Sequence, residues 1–336
     1  MVKPAARHLD IHVDPTEPSR AAMPPTAFQD PAPAGRPGVG ETHAHHGEIV
    51  QGVFYSSDGK LEHGLVTLPC SLFGTRVRFR PVRSGPLTVE PGDRSRARTA
   101  ARMTLDSLGR TGWGGSIRIE SNVPLRWGCG SSTTDVLATI RAVADAFGEV
   151  LDPEWIARIS VVAETASDSL MYGPGRAVLF AQRRGCVLLD LGGPLPRVQV
   201  LGFNTEETHG VETLSLPPCQ YSAWEAEAFQ PILGLLRRAV AQQDPALLGR
   251  VATASTTIMQ RHRPKRFMPE LLRLAKETGA LGVQVAHSGT VAGFLFEPGS
   301  GAADRIEHAR EGLRRIGVRA SWEFCNDLSP QPESVS

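Results

Sequence analysis

Cysteine is scarce in this sequence, and its cysteines are not paired. The five of them are an odd number, they stand far apart, and no two form a CxxC motif; they are Cys70, Cys129, Cys186, Cys219 and Cys325. Small secreted domains depend on closely spaced, even-numbered cysteines for their disulfides. The pattern therefore predicts reduced thiols in a cytoplasmic protein.

Long apolar runs and an excess of one charge are also missing. No uninterrupted apolar stretch approaches the roughly 18 residues that span a bilayer, and the N-terminus lacks the apolar core of a signal peptide. The 36 Lys and Arg residues nearly balance the 35 Asp and Glu residues, for a net charge of +1. A balanced charge gives no field that would attract nucleic acid or anionic lipid. We expect small-molecule partners, with no nucleic acid and no membrane.

Length and composition predict two domains between two tails. A chain of 336 residues with 41% hydrophobic residues can bury one large core or two moderate ones. Residues 1–39 are rich in Pro, Ala and charge without apolar periodicity, which predicts a disordered tail. We place the domains at 40–195 and 196–328, followed by a short tail at 329–336.

Apolar periodicity predicts an α+β class. In the first domain it predicts strands over 49–80, at 87–89, over 116–120, 177–182 and 186–191, and helices over 136–147 and 152–164. In the second domain it predicts strands at 198–203, 211–216, 283–285, 291–296 and 318–324, and helices at 223–241, 245–259, 269–278 and 305–315.

The segment Pro124–Asp135 lies between a predicted strand and a predicted helix. Gly128 and Gly130 let the backbone approach an anion closely, and a helix N-terminus offers free N–H groups and a positive dipole end. The hydroxyls of residues 131–134 can donate to phosphate or bind Mg²⁺. The loop has neither the lysine of a Walker A motif nor a full GxGxxG pattern. Taken by itself, it favours a phosphate site and an ordinary glycine-rich turn equally.

Three segments together resemble one family. The run from Pro124 through Gly130-Ser131-Ser132 resembles the second motif of the GHMP kinase superfamily, and its continuation Thr133-Thr134-Asp135-Val136 is similar to the L-threonine kinases of that superfamily. Residues 46–52 (HGEIVQG) and 65–69 (LVTLP) resemble the first motif. Residues 286–290 (AHSGT) and Gly293 resemble the third motif. The similarity spans roughly residues 40–325, with the motifs in the family's order.

The resemblance implies a fold and a set of site residues. The fold is the α+β, two-domain GHMP kinase fold, in which an N-terminal domain related to a ribosomal-protein fold precedes a ferredoxin-like domain. The cofactors are ATP and Mg²⁺, with Ser132 and Glu164 as metal ligands and Asp168 as the catalytic aspartate beside the acceptor hydroxyl. The implied ATP-binding residues are Pro124, Gly128, Cys129, Gly130, Ser131, Ser132 and Thr133. The implied substrate-binding residues are His46, Gly47, Glu48, Gln51, Asp168, His287, Ser288, Gly289 and Thr290.

Several roles stay open in the sequence. Asp168 acts either as a general base or by orienting the acceptor, and Glu48 either contacts a ligand or pairs with an arginine that braces two strands. Residues 288–290 form either a phosphate-facing loop or a plain hairpin turn. His45-His46 stand where the family has smaller residues, so the acceptor is the least defined part of the site. The oligomeric state, a homodimer included, is also open.

The resulting hypothesis is an ATP-dependent kinase of a small hydroxy amino acid, with L-threonine first and O-phospho-L-threonine as product. The alternatives are a GHMP kinase for another small alcohol or amino acid derivative, and a non-catalytic regulator that binds a nucleotide or ligand. A zinc hydrolase built on His43, His45 and His46 is the weakest alternative, because no HExxH or second ligand cluster accompanies them. The basic run 261–266 is typical of a solvated surface loop.

Overall fold

The computed structural model describes residues 35–56, 58–206 and 219–327. Within them the strands are β1 (Gly38–Tyr55), β2 (Leu61–Arg83), β3 (Leu87–Glu90), β4 (Trp113–Ser121), β5 (Val178–Ala181), β6 (Cys186–Asp190), β7 (Gln199–Asn204), β8 (Gly282–Val285), β9 (Val291–Phe296) and β10 (Ser321–Cys325). The helices are α1 (Ser95–Ser107), α2 (Ser131–Ala146), α3 (Pro153–Glu164), α4 (Ala223–Gln242), α5 (Pro245–Met259), α6 (Met268–Glu277) and α7 (Ala302–Arg315). None of the helices in these ranges is long and apolar enough to cross a membrane.

All the strands belong to one mixed sheet. Its main path runs β10-β7-β9-β8-β1-β2-β4-β3, while β5 joins β2 and β6. The long strands β1 and β2 pair over most of their length, but β1 meets β8 through the single pair Glu48 and Val285. The two halves of the sheet therefore meet at the first motif.

The helices cover the sheet in three groups. Helices α1, α2 and α3 pack on the half formed by β1–β6. Helices α4 and α5 pack across the junction, where Phe54 and Phe229 contact each other at 5.5 Å between ring centroids. Helices α6 and α7 cover the other face of β7, β8 and β9 around Leu271, Phe294 and Leu313. This burial of apolar side chains from both halves supplies the main stabilising free energy.

Strand β1 begins before the predicted strand, at Gly38. A Cβ at Gly38 would lie 2.2 Å from the carbonyl oxygen of Ala142, and one at Gly40 would lie 2.1 Å from that of Ala138. The glycines let β1 lie directly against α2, and the pattern of hydrophobic side chains does not reveal such a contact. The predicted tail over 1–39 is therefore too long by the two strand residues 38 and 39; residues 1–34 lie outside the described residues.

Helix α1 is absent from the sequence prediction. Its buried side is made of small residues, chiefly Ala97, Ala100 and Ala101, with Leu105 as the large one, and its other positions are rich in arginine. Such a weak apolar stripe is easily missed. The predicted strand 211–216 lies outside the described residues, and the last strand begins at Ser321 rather than at 318.

Candidate active site

The three motifs meet at the N-terminus of α2. Gly130 precedes this helix with φ of 75°, and a Cβ there would lie 2.5 Å from Cδ2 of His45, which immediately precedes the first motif. The backbone of Gly289 in the third motif approaches just as closely, because a Cβ on it would lie 2.0 Å from the carbonyl oxygen of Trp127. That oxygen also accepts hydrogen bonds from the N–H groups of Thr290 and Val291 at 2.9 and 3.1 Å. Glycine is required at both contacts.

Asp168 is paired with His45. Nε2 of His45 donates to Oδ2 of Asp168 at 2.9 Å, and Nδ1 donates to the carbonyl oxygen of Gly47 at 3.2 Å. Burial alone would lower the pKa of His45, but the charge and hydrogen bond of Asp168, assisted by Glu48, raise it to about 9. Burial would raise the pKa of Asp168, but His45 and Thr133 hold it below its usual range. The pair is therefore an imidazolium and a carboxylate at neutral pH.

Glu164 lies beside Asp168, but the two residues are not on one continuous helix, because α3 ends at Glu164. Thr165, with φ of 72°, turns the chain out of the helix, so the helical spacing of 164 and 168 does not explain their proximity. The hydroxyl of Thr133 lies 3.0 Å from Oε1 of Glu164 and 3.2 Å from Oδ2 of Asp168. Burial, and then the charge of Asp168, raise the pKa of Glu164 to about 8.

Ser132 and Glu164 form a set of oxygen donors suited to Mg²⁺. The Ser132 hydroxyl is near enough to the Glu164 carboxyl group to oppose the rise in its pKa, and within the described ranges no cationic side chain lies within 4.0 Å of Glu164. A buried carboxylate without a cationic partner is costly, and hard oxygen ligands are those that Mg²⁺ prefers. The residues therefore fit the metal that the resemblance implies.

Glu48 and the third motif are joined by hydrogen bonds. The N–H of His287 donates to Oε2 of Glu48 at 2.7 Å. Nζ of Lys265 donates to the carbonyl oxygens of Gly289 at 2.6 Å and His287 at 3.3 Å. Burial raises the pKa of Glu48 to about 7 and lowers that of Lys265 to about 8. Glu48 therefore braces the loop 287–290 through a backbone N–H group, and no arginine brace of the kind considered for it is present in the described part of the chain.

Not every predicted residue faces this cluster. His46 is fully buried on another side of β1, where its Nδ1 accepts from Nε2 of Gln284 at 2.5 Å and its ring packs against Trp322. Gln51 is buried, and its N–H donates to Ser255 on α5. The side chain of Cys129 is buried in the core beneath the loop, which leaves only its backbone for an anion. Pro124 begins the loop and is half-buried, as are Ser131 and Ser288.

The histidine string 43–46 does not form a metal cluster of its own. His43 is exposed, and His45 and His46 have different neighbours. Ligand atoms of His45, Glu48 and Asp168 do lie within 4.8 Å of one another, but both ring nitrogens of His45 are already hydrogen-bonded. The arrangement is that of an ion-pair network.

Three residues of this region are not among the predicted site residues: His45, Lys265 and Arg96. Nη1 of Arg96, on α1, donates to the Ser132 hydroxyl at 2.9 Å. His45 lies in a histidine string that was considered only as a weak candidate for a metal site. Lys265 lies in a basic run that is typical of a surface loop. Arg96 lies in the helix that the sequence prediction missed. The only signal for Lys265 and Arg96 was their local excess of basic residues.

Together these residues offer the groups that transfer of a phosphoryl group to a small molecule requires. A helix N-terminus with close backbone approach, hydroxyls, a buried carboxylate suited to a metal and a second, ionised carboxylate are the parts that such a reaction needs.

Comparison with known proteins agrees with this class. Residues 95–175 match the family model of the GHMP kinases N terminal domain. The L-threonine kinase of Citrobacter freundii is 28% identical over 278 residues, 80% of this chain and 90% of that protein. The L-threonine kinase of Salmonella typhimurium is 27% identical over 262 residues, 77% of this chain and 83% of that protein. The homoserine kinase structure from Cytophaga hutchinsonii has a TM-score of 0.62 and 18% identity, covering 85% of this chain and 94% of that one.

The protein is thus a small-molecule kinase. Its fold class, α+β with the GHMP kinase arrangement, is confirmed, and residues 95–175 resemble the N-terminal domain of those kinases.

Proposed function

We propose that this kinase transfers the γ-phosphoryl group of ATP to the hydroxyl of L-threonine and releases ADP and O-phospho-L-threonine. The observation that carries the proposal is the ionised Asp168 at the N-terminus of α2, between the motif that resembles a phosphate loop and the other two motifs. The two curated relatives support the choice of acceptor, since both are named L-threonine kinase.

The triphosphate would lie against the backbone of residues 128–133. Gly128 and Gly130 let the loop pack closely against Ala286 and His45, and the free N–H groups of the first turn of α2 would donate to the phosphate oxygens. Arg96, already on the Ser132 hydroxyl, would approach the same phosphates. Ser132 and Glu164 would hold Mg²⁺, which neutralises phosphate charge when bound.

Asp168 would act on the acceptor hydroxyl. The hydroxyl oxygen forms a bond to the γ-phosphorus as the bond from that phosphorus to the β–γ bridging oxygen breaks, and the hydroxyl proton passes to Asp168. Because its pKa lies below the usual range, Asp168 is a weak base that orients the hydroxyl first and accepts its proton late. Late proton transfer suits the loose transition state of phosphoryl transfer. His45 keeps the carboxylate ionised and in place.

The acceptor would lie between Asp168 and the loop 287–290. Gly47 and Glu48 approach this loop from β1, and Lys265 holds it from the side of residues 261–266. His46 and Gln51 would then act from behind the site, by fixing β1, rather than by contact with the acceptor.

The test is an ADP-release assay with L-threonine first in a panel that includes L-serine, L-homoserine, amino alcohols and sugars, with ³¹P NMR on the product. We expect turnover and a phosphomonoester signal with L-threonine. Turnover only with another alcohol would replace the acceptor and keep the kinase. Tight ATP binding without turnover of any acceptor would overturn the proposal in favour of a nucleotide-binding regulator.

A further inference from the structure

A cavity of about 200 Å³ lies on the far side of the segment that carries Asp168. Its walls come from β1, β2 and α2 and from the chain between Ser169 and Val178, and they are mainly apolar, with Val66, Pro69 and Leu170 among them. The hydroxyls of Thr67 and Ser169 lie 2.8 Å apart in one wall. A mostly apolar cavity with a few polar groups is typical of a small-ligand site.

The notable polar group of this cavity is Arg141 of α2. Its Nη1 donates to the carbonyl oxygen of Glu41 at 2.7 Å and to the Thr42 hydroxyl at 3.0 Å, and its other N–H groups make no hydrogen bond within the described residues. No carboxylate of those residues lies within 4.0 Å of it, although it is half-buried. A partly desolvated cation without an anionic partner is costly, and a bound anion removes that cost.

The other arginine of the cavity is already neutralised. Arg176 lies at the rim, where Nε is 2.8 Å from Oδ2 of Asp190 and Nη1 is 3.1 Å from Oε1 of Glu154. One unit of positive charge is therefore available for a ligand. A single charge suits a monocarboxylate rather than a phosphate dianion.

The charged end of the cavity lies away from the groups proposed for phosphoryl transfer, although Ala44 and Ser169 in its wall adjoin His45 and Asp168. Thr42, which holds Arg141, is three strand residues from His45, or about 10 Å at 3.3 Å per residue. Along α2, Arg141 is eight residues from Thr133, or about 12 Å at 1.5 Å per residue. The hydroxyl and carboxylate of L-threonine are only three bonds apart, so one molecule cannot reach both Asp168 and Arg141.

We propose that this cavity binds a small monocarboxylate with a short branched apolar body, whose carboxylate pairs with Arg141, at a site distinct from that of the acceptor and ATP. Its volume of about 200 Å³ admits a small branched acid. Because Ser169 is in the wall, the ligand contacts the segment that carries Asp168.

The test uses isovalerate and its neutral analogue isovaleramide, each titrated into the full chain by isothermal calorimetry or ligand-observed NMR. We expect isovalerate to bind at least tenfold more tightly than the amide. Arg141→Gln should lose at least tenfold in isovalerate affinity and keep its kinase turnover. Arg118→Gln, which removes the same charge at an exposed position on β4, should bind isovalerate as the unmodified protein does.

A second variant covers the case in which Arg141→Gln does not fold. Ala177→Met fills the cavity without a change of charge and should also lose isovalerate binding. The proposal is overturned if isovalerate does not bind, if the amide binds equally well, or if both cavity variants bind like the unmodified protein. Displacement of isovalerate by L-threonine would likewise overturn it, because the cavity would then be part of the acceptor site, and the kinase proposal would be unaffected.

Discussion

Asp168 is ionised and oriented because His45 and Thr133 both donate to it. The three residues come from β1, from α2 and from the segment after α3, and Oδ2 of Asp168 is within 3.2 Å of both donors. A carboxylate held in this way is preorganised for a hydroxyl acceptor, which is where much of the rate enhancement of phosphoryl transfer arises.

Asp168→Asn should lower kcat about 10²- to 10⁴-fold, the usual contribution of a positioned acid or base, because an amide neither accepts the proton nor pairs with the His45 cation. ATP binding should change little, whereas the thermal midpoint of unfolding should fall, because the buried His45 loses its ion-pair partner. Asp190→Asn, at an exposed position, is the control for loss of a carboxylate. An Asp168→Asn enzyme with full kcat in the ADP-release assay would remove Asp168 from the mechanism.

Gly130→Ala should damage the site by displacing His45. Its φ of 75° costs any other residue about 1–2 kcal/mol, and the new Cβ would also lie 2.5 Å from the imidazole. Gly148→Ala is a matched control, since its φ is 72° and nothing lies within 4 Å of the added Cβ. Denaturant unfolding should give a similar backbone cost for both, and only Gly130→Ala should lower kcat, by at least tenfold. Equal kcat in the two variants would contradict the role of this contact.

At the scale of elements, α1 contributes to the phosphate loop through its arginines. Arg96 donates to Ser132, and Nε of Arg94 lies 3.2 Å from Oδ2 of Asp135, so the first turn of α2 is held from the side. The matched family domain, residues 95–175, begins with this helix.

Arg96→Ala should raise the KM for ATP about tenfold, the effect of losing about 1.4 kcal/mol from one charge-assisted contact. Arg98→Ala is the control, because Arg98 lies on the same helix but is exposed, and it should leave the KM unchanged. Steady-state kinetics at saturating acceptor measures both. If the two variants behave alike, the effect is one of overall charge and not of the Ser132 contact.

Over the whole molecule, stability should fall as pH rises from about 6.5 to 8. The pKa of His45 in the folded state, about 9, lies above its value in the unfolded state. The stabilisation from protonated His45 is therefore complete below pH 6.5 and is lost as the pH rises through 9. The folded-state pKa values of Glu48 and Glu164 are raised to about 7 and about 8. The contributions of these two groups to stability also fall as the pH rises, because the folded state holds protons that the unfolded state has released.

Lys265, whose pKa is lowered to about 8, opposes the trend only at higher pH. His46, His63 and His287, whose pKa values are lowered to about 3, 4 and 3, oppose it near pH 6.5, where the unfolded chain still binds their protons, and this reduces the slope at the acid end of the range.

Thermal unfolding between pH 6.5 and 8 measures this slope, which should be on the order of 1 kcal/mol per pH unit. Glu164→Gln mimics the protonated acid and should flatten it, while Glu227→Gln, at an exposed position of α4, should not. A slope that is unchanged in Glu164→Gln would show that this carboxyl group does not hold its proton in the folded state.

The kinase class and the fold follow from the sequence, because motif order and local periodicity are properties of the chain itself. Strand β9 and helix α5 occur at the predicted residues, since each combines a continuous apolar pattern with clear ends. Helix α1 was missed because alanines form its buried side. The first strand was predicted to begin at 49 rather than at Gly38, because Gly38 and Gly40 serve a packing contact that leaves no apolar pattern.

What only the tertiary structure decided is which polar groups meet. His45 and Asp168 are 123 residues apart in the chain, and Lys265 and Arg96 belong to segments that periodicity alone assigns to the surface. The charge state of Asp168, the brace from Glu48 to the loop 287–290 and the unpaired Arg141 all depend on such long-range contacts. Local sequence determines the elements and the motifs, but burial and distance, which exist only in the folded chain, determine the pKa values and partners of the residues in the site.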